Sequence, residues 1–168
     1  MSATAASRDT TEVVERYQQM VYAICLTHTG CKPDAEDVFQ EVFLTYHRKQ
    51  PACNDEEHLK AWLITTTLNL ARRASSSSWR ARVVRLPDDE PEALEAFRFE
   101  IKEYDELFAA LTSLPEAYRT VIHLFYFEDL PVKQIAAVLG EEPGAVKMRL
   151  SRGRAMLREA MTKEITHA

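Results

Sequence analysis

The chain has 168 residues, enough for one ordinary domain or two small ones, and a formal net charge of −5. Its 46% hydrophobic and 28% charged residues fit a soluble, core-forming protein, while only 4 Gly and 7 Pro exclude collagen-like or low-complexity chains. No apolar run approaches the ~20 residues needed to cross a bilayer, and the N-terminal Met1-Ser-Ala-Thr-Ala-Ala-Ser7 lacks a signal core, so a cytoplasmic protein without membrane insertion is expected.

In chain order, Val13, Tyr17, Met20, Val21 and Ile24 recur at helical steps, predicting a helix over Glu12–Thr27 that ends at Gly30. A second helix is expected from near Asp34, its start favoured by Asp34, Glu36 and Asp37 at the positive dipole end. It carries Val38, Phe39, Val42, Phe43 and Tyr46, then frays at Arg48-Lys-Gln-Pro51. A polar loop, Pro51–Glu57, leads to a third helix over His58–Ala74 with Leu59, Trp62, Leu63 and Leu70 inward. Its Thr65-Thr66-Thr67 run is weak helix material that packing must hold.

Ser75–Ser78 marks a break, and residues 76–104 read as a linker. Its first half is basic (Arg80, Arg82, Arg85), its second acidic (Asp88 to Glu106). Periodicity returns with Leu107, Phe108, Leu111 and Leu114. Pro115 opens a helix in which Tyr118, Val121, Ile122 and Phe125 repeat. Two more helices are expected, Val132–Leu139 and Pro143–Ala160. No period-2 strand pattern occurs, so the expected fold is all-α. Two small helical domains, 8–75 and 105–165, flank the linker.

Residues 132–157 carry the spacing of a helix-turn-helix: small Ala136 at the crossing, Gly140 where the turn needs φ > 0, and Pro143 in the first turn of the second helix. Val146, Leu150, Gly153 and Leu157 share a face to be buried. The opposite face presents Gly144, Met148, Ser151 and Arg152, with Ala145 and Lys147 beside it, a surface suited to a major groove. The alternative is an ordinary helical hairpin with a basic solvent face. Cys25, His28 and Cys31, with Cys53, have a spacing open to a metal, but positions 25, 28 and 31 drift around a helix, so no metal or cofactor is expected. The odd cysteine count without a CxxC pair points to reduced thiols. No nucleophilic triad, paired-carboxylate or phosphate-loop arrangement occurs, so an enzyme is not expected.

Four segments together resemble the bacterial RNA polymerase sigma factors of the sigma-70 family, extracytoplasmic-function (ECF) group. They are Asp34-Ala-Glu-Asp-Val-Phe-Gln-Glu-Val-Phe43, Ala61-Trp-Leu63 with Asn69 and Arg72-Arg73, Leu114-Pro-Glu-Ala-Tyr-Arg119, and the helix-turn-helix ending Val146-Lys-Met-Arg-Leu-Ser-Arg-Gly-Arg154. The resemblance implies a promoter-specificity subunit that recognises −35 and −10 elements and helps melt DNA. Its partners would be core RNA polymerase (clamp of the largest subunit, flap of the second), promoter DNA and an anti-sigma factor. It assigns Asp37, Gln40 and Glu41, one polar helix face, to the clamp; Asn54, Asn69, Arg72 and Arg73 to the −10 element; and Gly144, Ala145, Lys147, Met148, Arg149 and Arg152 to the −35 element. The acidic linker is either a thread through the RNA exit channel or a solvated tether. One departure is the turn Glu141-Glu142-Pro143, where the family has an apolar residue followed by a Ser or Thr cap; carboxylates there repel phosphate, though Glu142 is placed to cap the helix. A stand-alone helix-turn-helix regulator is the competing reading, but it would need a dimerisation surface, and no heptad zipper supplies one.

Overall fold

The computed structural model describes residues 8–74 and 105–166; the expected linker, with Arg80, Arg82 and Arg85, lies outside the described residues. The chain divides into two compact units, with the division between Val83 and Val84. Among the described residues every regular element is helical.

The N-terminal unit packs three helices: α1 (Thr10–Thr29), α2 (Lys32–Lys49) and α3 (Glu56–Ala74). The α1 stripe turns inward as its period requires, with Val13, Tyr17, Met20, Val21 and Ile24 all buried. Gly30 ends α1 in the left-handed region at φ 72°, donating its N–H to Leu26. The second helix starts earlier than expected because Pro33 sits inside its first turn, where its missing N–H is no loss. Gln50, at φ 41°, ends it. Asp55 caps α3 by accepting the N–H of His58 at 2.7 Å.

The inward stripe of α3 is Leu59, Leu63, Ile64, Thr67, Leu68 and Ala71. Trp62 and Leu70, expected inside, are only half-buried. The threonine run stays helical because packing buries Thr67 and its hydroxyl donates to the Leu63 carbonyl at 2.6 Å, while Thr65 donates to Ala61 at 2.9 Å. Glu56 ties α1 to α3, accepting from the Tyr17 hydroxyl and pairing with Arg8 and Arg16.

The C-terminal unit comprises α4 (Asp105–Ser113), α5 (Glu116–Ile122), α6 (Val132–Leu139) and α7 (Pro143–Thr166). Arg119, half-buried, donates to the Thr112 carbonyl at 3.2 Å and pins the α4–α5 corner that Pro115 opens. Burial holds its guanidinium below the usual arginine range. The expected Phe125 repeat is displaced: α5 runs on as a π-helical turn, His123–Phe127, with Glu128 N–H bonded to the His123 carbonyl at 3.3 Å. The widened turn shifts the register by a residue. Leu124 and His123 become buried, Phe125 is half-buried, and Tyr126 and Phe127 are turned to the surface. His123 Nε2 lies 3.2 Å from Glu128 Oε1.

Gly140 adopts φ 65° between α6 and α7, the conformation the turn demands. Val146, Leu150 and Gly153 are buried, and Leu157 is half-buried. A Cβ on Gly153 would stand 3.0 Å from Ile122 Cγ1, so glycine lets α7 cross α5 closely. The last helix continues to Thr166, past the expected Ala160.

Candidate functional site

The polar face of α2 begins in its first turns. Asp37 and Gln40 are exposed and Glu41 half-exposed, while Val38, Val42 and Phe43 turn inward, so one helix separates core from surface. Leu44, 52% exposed, extends the same face one step further, which the sequence reading missed. Phe39 is half-buried, edge-on to Tyr22 and to Phe43 at 5.8 and 5.0 Å between centroids. Partial burial, with the charge of Asp34 nearby, holds the Asp37 carboxyl above the usual range. Glu41 accepts from Arg48 at 2.7 Å.

The second surface spans the loop before α3 and the outer face of that helix. Asn54 is exposed in the loop, its N–H 3.4 Å from His58 Nδ1. Asn69, Arg72 and Arg73 are exposed on α3. Helical spacing puts half-buried Trp62, Thr65 and Thr66 on the same side as Asn69 and Arg73. Trp62 packs edge-on against Tyr46 at 5.9 Å, leaving part of its ring at the surface. The sequence signal was available, because 62, 65, 66, 69 and 73 keep helical steps, but the apolar character of tryptophan outweighed it. Cys53, in the same loop, has its thiol pushed up by burial, with Asp55 adding to the effect. Cys25 lies fully buried in the core, its thiol raised by desolvation, whereas Cys31 is exposed. Among the described residues no group of three His, Cys, Asp or Glu is arranged to hold a metal.

The third surface is the outward side of α7. Gly144, Lys147, Met148, Ser151 and Arg152 are exposed; Ala145 and Arg149 are half-exposed on one flank. The turn ahead of them is fixed by the main chain. Glu141 N–H donates to Ala136 at 2.9 Å, and the Glu142 carbonyl accepts from Ala145 and Val146 at 3.0 and 3.2 Å, so Glu142 serves the helix start through its backbone. The Glu141 carboxylate reaches Arg149 at 2.5 Å. On another side of this unit, Leu107, Ile122, Tyr126, Phe127, Leu157 and Met161 line an apolar groove of about 470 Å³, with Arg154 and Arg158 along it. The Arg154 guanidinium donates to the Tyr126 hydroxyl at 3.1 Å.

The family model for sigma-70 region 2 matches residues 13–81, and that for sigma-70 region 4 matches residues 104–157. The chain is 30% identical over 149 residues to the RNA polymerase sigma factor SigV of Bacillus subtilis, covering 88% of each chain. It is 32% identical to the ECF RNA polymerase sigma factor SigE of Mycolicibacterium smegmatis, over 90% of this chain and 61% of that one. The fold is similar to CnrH in its complex with the cytosolic domain of CnrY, with a TM-score of 0.68 at 24% identity over 96% and 94% of the two chains. It is equally similar to Bartonella quintana RpoE in complex with the anti-sigma factor NepR, with a TM-score of 0.68 at 21% identity over 90% and 96%. A region 2 match followed by a region 4 match, within a chain that aligns with SigV nearly end to end, means that this protein belongs to the ECF group of the sigma-70 family of RNA polymerase sigma factors.

Proposed function

We propose that the two units divide promoter recognition between them: residues 8–75 bind the polymerase clamp and the −10 element, and residues 105–165 read the −35 element. Membership of the family makes the chain a promoter-specificity subunit of RNA polymerase and not a stand-alone regulator. Sigma factors are initiation factors, not enzymes, so binding energy does the work in this reading. The chain itself catalyses no reaction and acts in the cytoplasm, beside the polymerase and the chromosome. No described helix is long and apolar enough to cross a membrane.

On α2, Asp37, Gln40 and Glu41 meet a basic coiled coil of the clamp, with Leu44 adding apolar contact; acids on an exposed face steer a cationic partner and set its register. Asn54, Asn69, Arg72 and Arg73 act on the −10 element. Amide groups hydrogen-bond the edges of unstacked bases, cations hold the phosphates, and the exposed part of Trp62 offers a stacking face. Melting is favoured because these contacts exist only for the opened strand. On α7, Gly144 and Ala145 let the helix N-terminus approach the duplex, while Lys147, Met148, Arg149 and Arg152 face the groove. The apolar groove of the C-terminal unit suits the flap of the second polymerase subunit. CnrH and RpoE were solved with CnrY and with the anti-sigma factor NepR, and an anti-sigma factor is proposed for this chain as well.

The observation carrying this reading is the presence of region 2 and region 4 matches, in that order, on one chain. The test is run-off transcription with core polymerase, using promoters found by sequencing transcripts after overexpression. The chain should confer initiation at a recurring pair of elements. Failure to bind core, or initiation no different from core alone, would refute it.

A further inference from the structure

We propose that Glu141 is a positioning residue for Arg149 and thereby a determinant of −35 sequence preference; this rests on the reading that α7 enters the major groove. An acid immediately ahead of a DNA-reading helix is unfavourable toward phosphate. Here that acid is held in place. Its N–H is bonded to Ala136 at 2.9 Å, beside Gly140 in the left-handed region. One carboxylate oxygen, Oε2, is closed off from water, accepts no hydrogen bond, and stands 2.5 Å from Nη1 of Arg149, two helical turns along, in a purely ionic pair. Both side chains are 30% exposed, so the pair sits at the helix flank instead of waving in solvent.

Two consequences follow from the chemistry. First, the paired guanidinium carries little net charge outward, so Arg149 adds little to sequence-independent attraction for phosphate. Second, its orientation is set before DNA arrives, and guanidinium has five N–H donors, several of which stay available beside a carboxylate. A pre-aimed arginine with spare donors matches the O6 and N7 acceptors of guanine, which present a fixed pair in the major groove. Arg149 therefore reads a guanine, and Glu141 keeps it from drifting to the nearest phosphate. Lys147 and Arg152, exposed on the same helix, supply the phosphate attraction.

The test uses the full chain assembled with core polymerase. Parent, Glu141→Gln and Arg149→Ala holoenzymes each select from a promoter-length random DNA library, and affinity for a fixed unrelated duplex is measured at several salt concentrations. Arg149→Ala should lose about tenfold preference at one guanine position and, by unmasking the Glu141 charge, bind unrelated duplex less tightly, the opposite of Glu141→Gln. Glu141→Gln, with an unchanged melting temperature, should lose the same preference, bind unrelated duplex more tightly and steepen the salt slope by about one. A Glu141→Gln protein that keeps the parent motif overturns the proposal, whether its slope is unchanged or all affinities rise equally through lost repulsion. So does an Arg149→Ala protein that keeps the parent motif. A parent holoenzyme that selects no upstream element overturns the −35 assignment itself, and that failure shows in the parent and not in the variant.

Discussion

Leu150 and Met148 lie two residues apart on α7 and face opposite ways, so the same substitution should do opposite things to them. Leu150 is 3% exposed and Met148 51%. Truncating a buried leucine destabilises by about 2–5 kcal/mol, and burying an unpaired carboxylate in its place adds several more. At ~0.05–0.15 kcal/mol per residue, a unit of about 60 residues has roughly 3–9 kcal/mol in total. Leu150→Asp should therefore unfold the C-terminal unit. The N-terminal unit has its own core and should still bind core polymerase. Met148→Asp buries nothing and should leave the melting temperature within a degree or two. Its new charge would face phosphate, where one like charge at ~4 Å is worth about 1 kcal/mol in water and more in a partly dried groove, so upstream DNA affinity should fall by about tenfold. Melting curves, core-binding titrations and duplex binding by the holoenzyme read the three quantities. A Leu150→Asp protein that melts like the parent, or a Met148→Asp protein with unchanged DNA affinity, would refute the assignment of inner and outer faces.

Asp37→Asn should raise thermal stability at pH 7. Partial burial and Asp34 raise the folded pKa of Asp37, so its charged form is disfavoured above the raised value, and the difference from the parent should shrink as pH falls toward 4 and both states protonate. The same variant should bind core polymerase more weakly in a titration, since it removes the charge offered to the clamp. Gly153→Val should destabilise the C-terminal unit by about 1–3 kcal/mol in chemical denaturation, because even a Cβ there meets Ile122 at 3.0 Å. Trp62→Ala and Asn69→Ala should reduce permanganate reactivity of the −10 strand while leaving closed-complex affinity nearly unchanged; equal losses in both would place these residues in duplex binding.

The helices were legible wherever apolar residues kept a 3.6-residue period against polar neighbours, as in Val13-Tyr17-Val21-Ile24, and their ends wherever a glycine had to be left-handed, at Gly30 and Gly140. The π-helical turn was not legible. Val121 to Phe127 is apolar or aromatic almost without a break, so any register places something suitable inside. The choice of Leu124 over Phe125 is made by packing, not by pattern. Trp62 was misplaced for a related reason: hydrophobicity says that a large ring is partly buried, not which edge stays at the surface. On the proposed partner faces, the shared polar side of Asp37, Gln40 and Glu41 could be read from their i, i+3, i+4 spacing. The Glu141–Arg149 pair could not, because it crosses from a turn to a helix and obeys no single periodicity.

Two acid–arginine pairs mark the proposed partner surfaces, and their surroundings assign them different behaviour. Glu41–Arg48 is 41% and 64% exposed, a class of pair worth at most about 1 kcal/mol in water. A clamp cation replacing Arg48, as proposed, would lose little by doing so, and Arg48 would be rehydrated on release. The exchange is nearly neutral, which suits a docking face that must be free to engage. Glu141–Arg149 differs because Oε2 of Glu141 is sealed from water and its backbone is tethered to Ala136. The charge at that oxygen is balanced by the nearby Arg149 guanidinium and not by water. On the proposed assignment the first pair would open for its partner, whereas the second would persist and present its partner with a fixed shape. With the exchangeable pair on the proposed polymerase face and the persistent one beside the proposed DNA-reading helix, two requirements would be separated: rapid, charge-steered assembly, and discrimination among sequences that all carry the same phosphates.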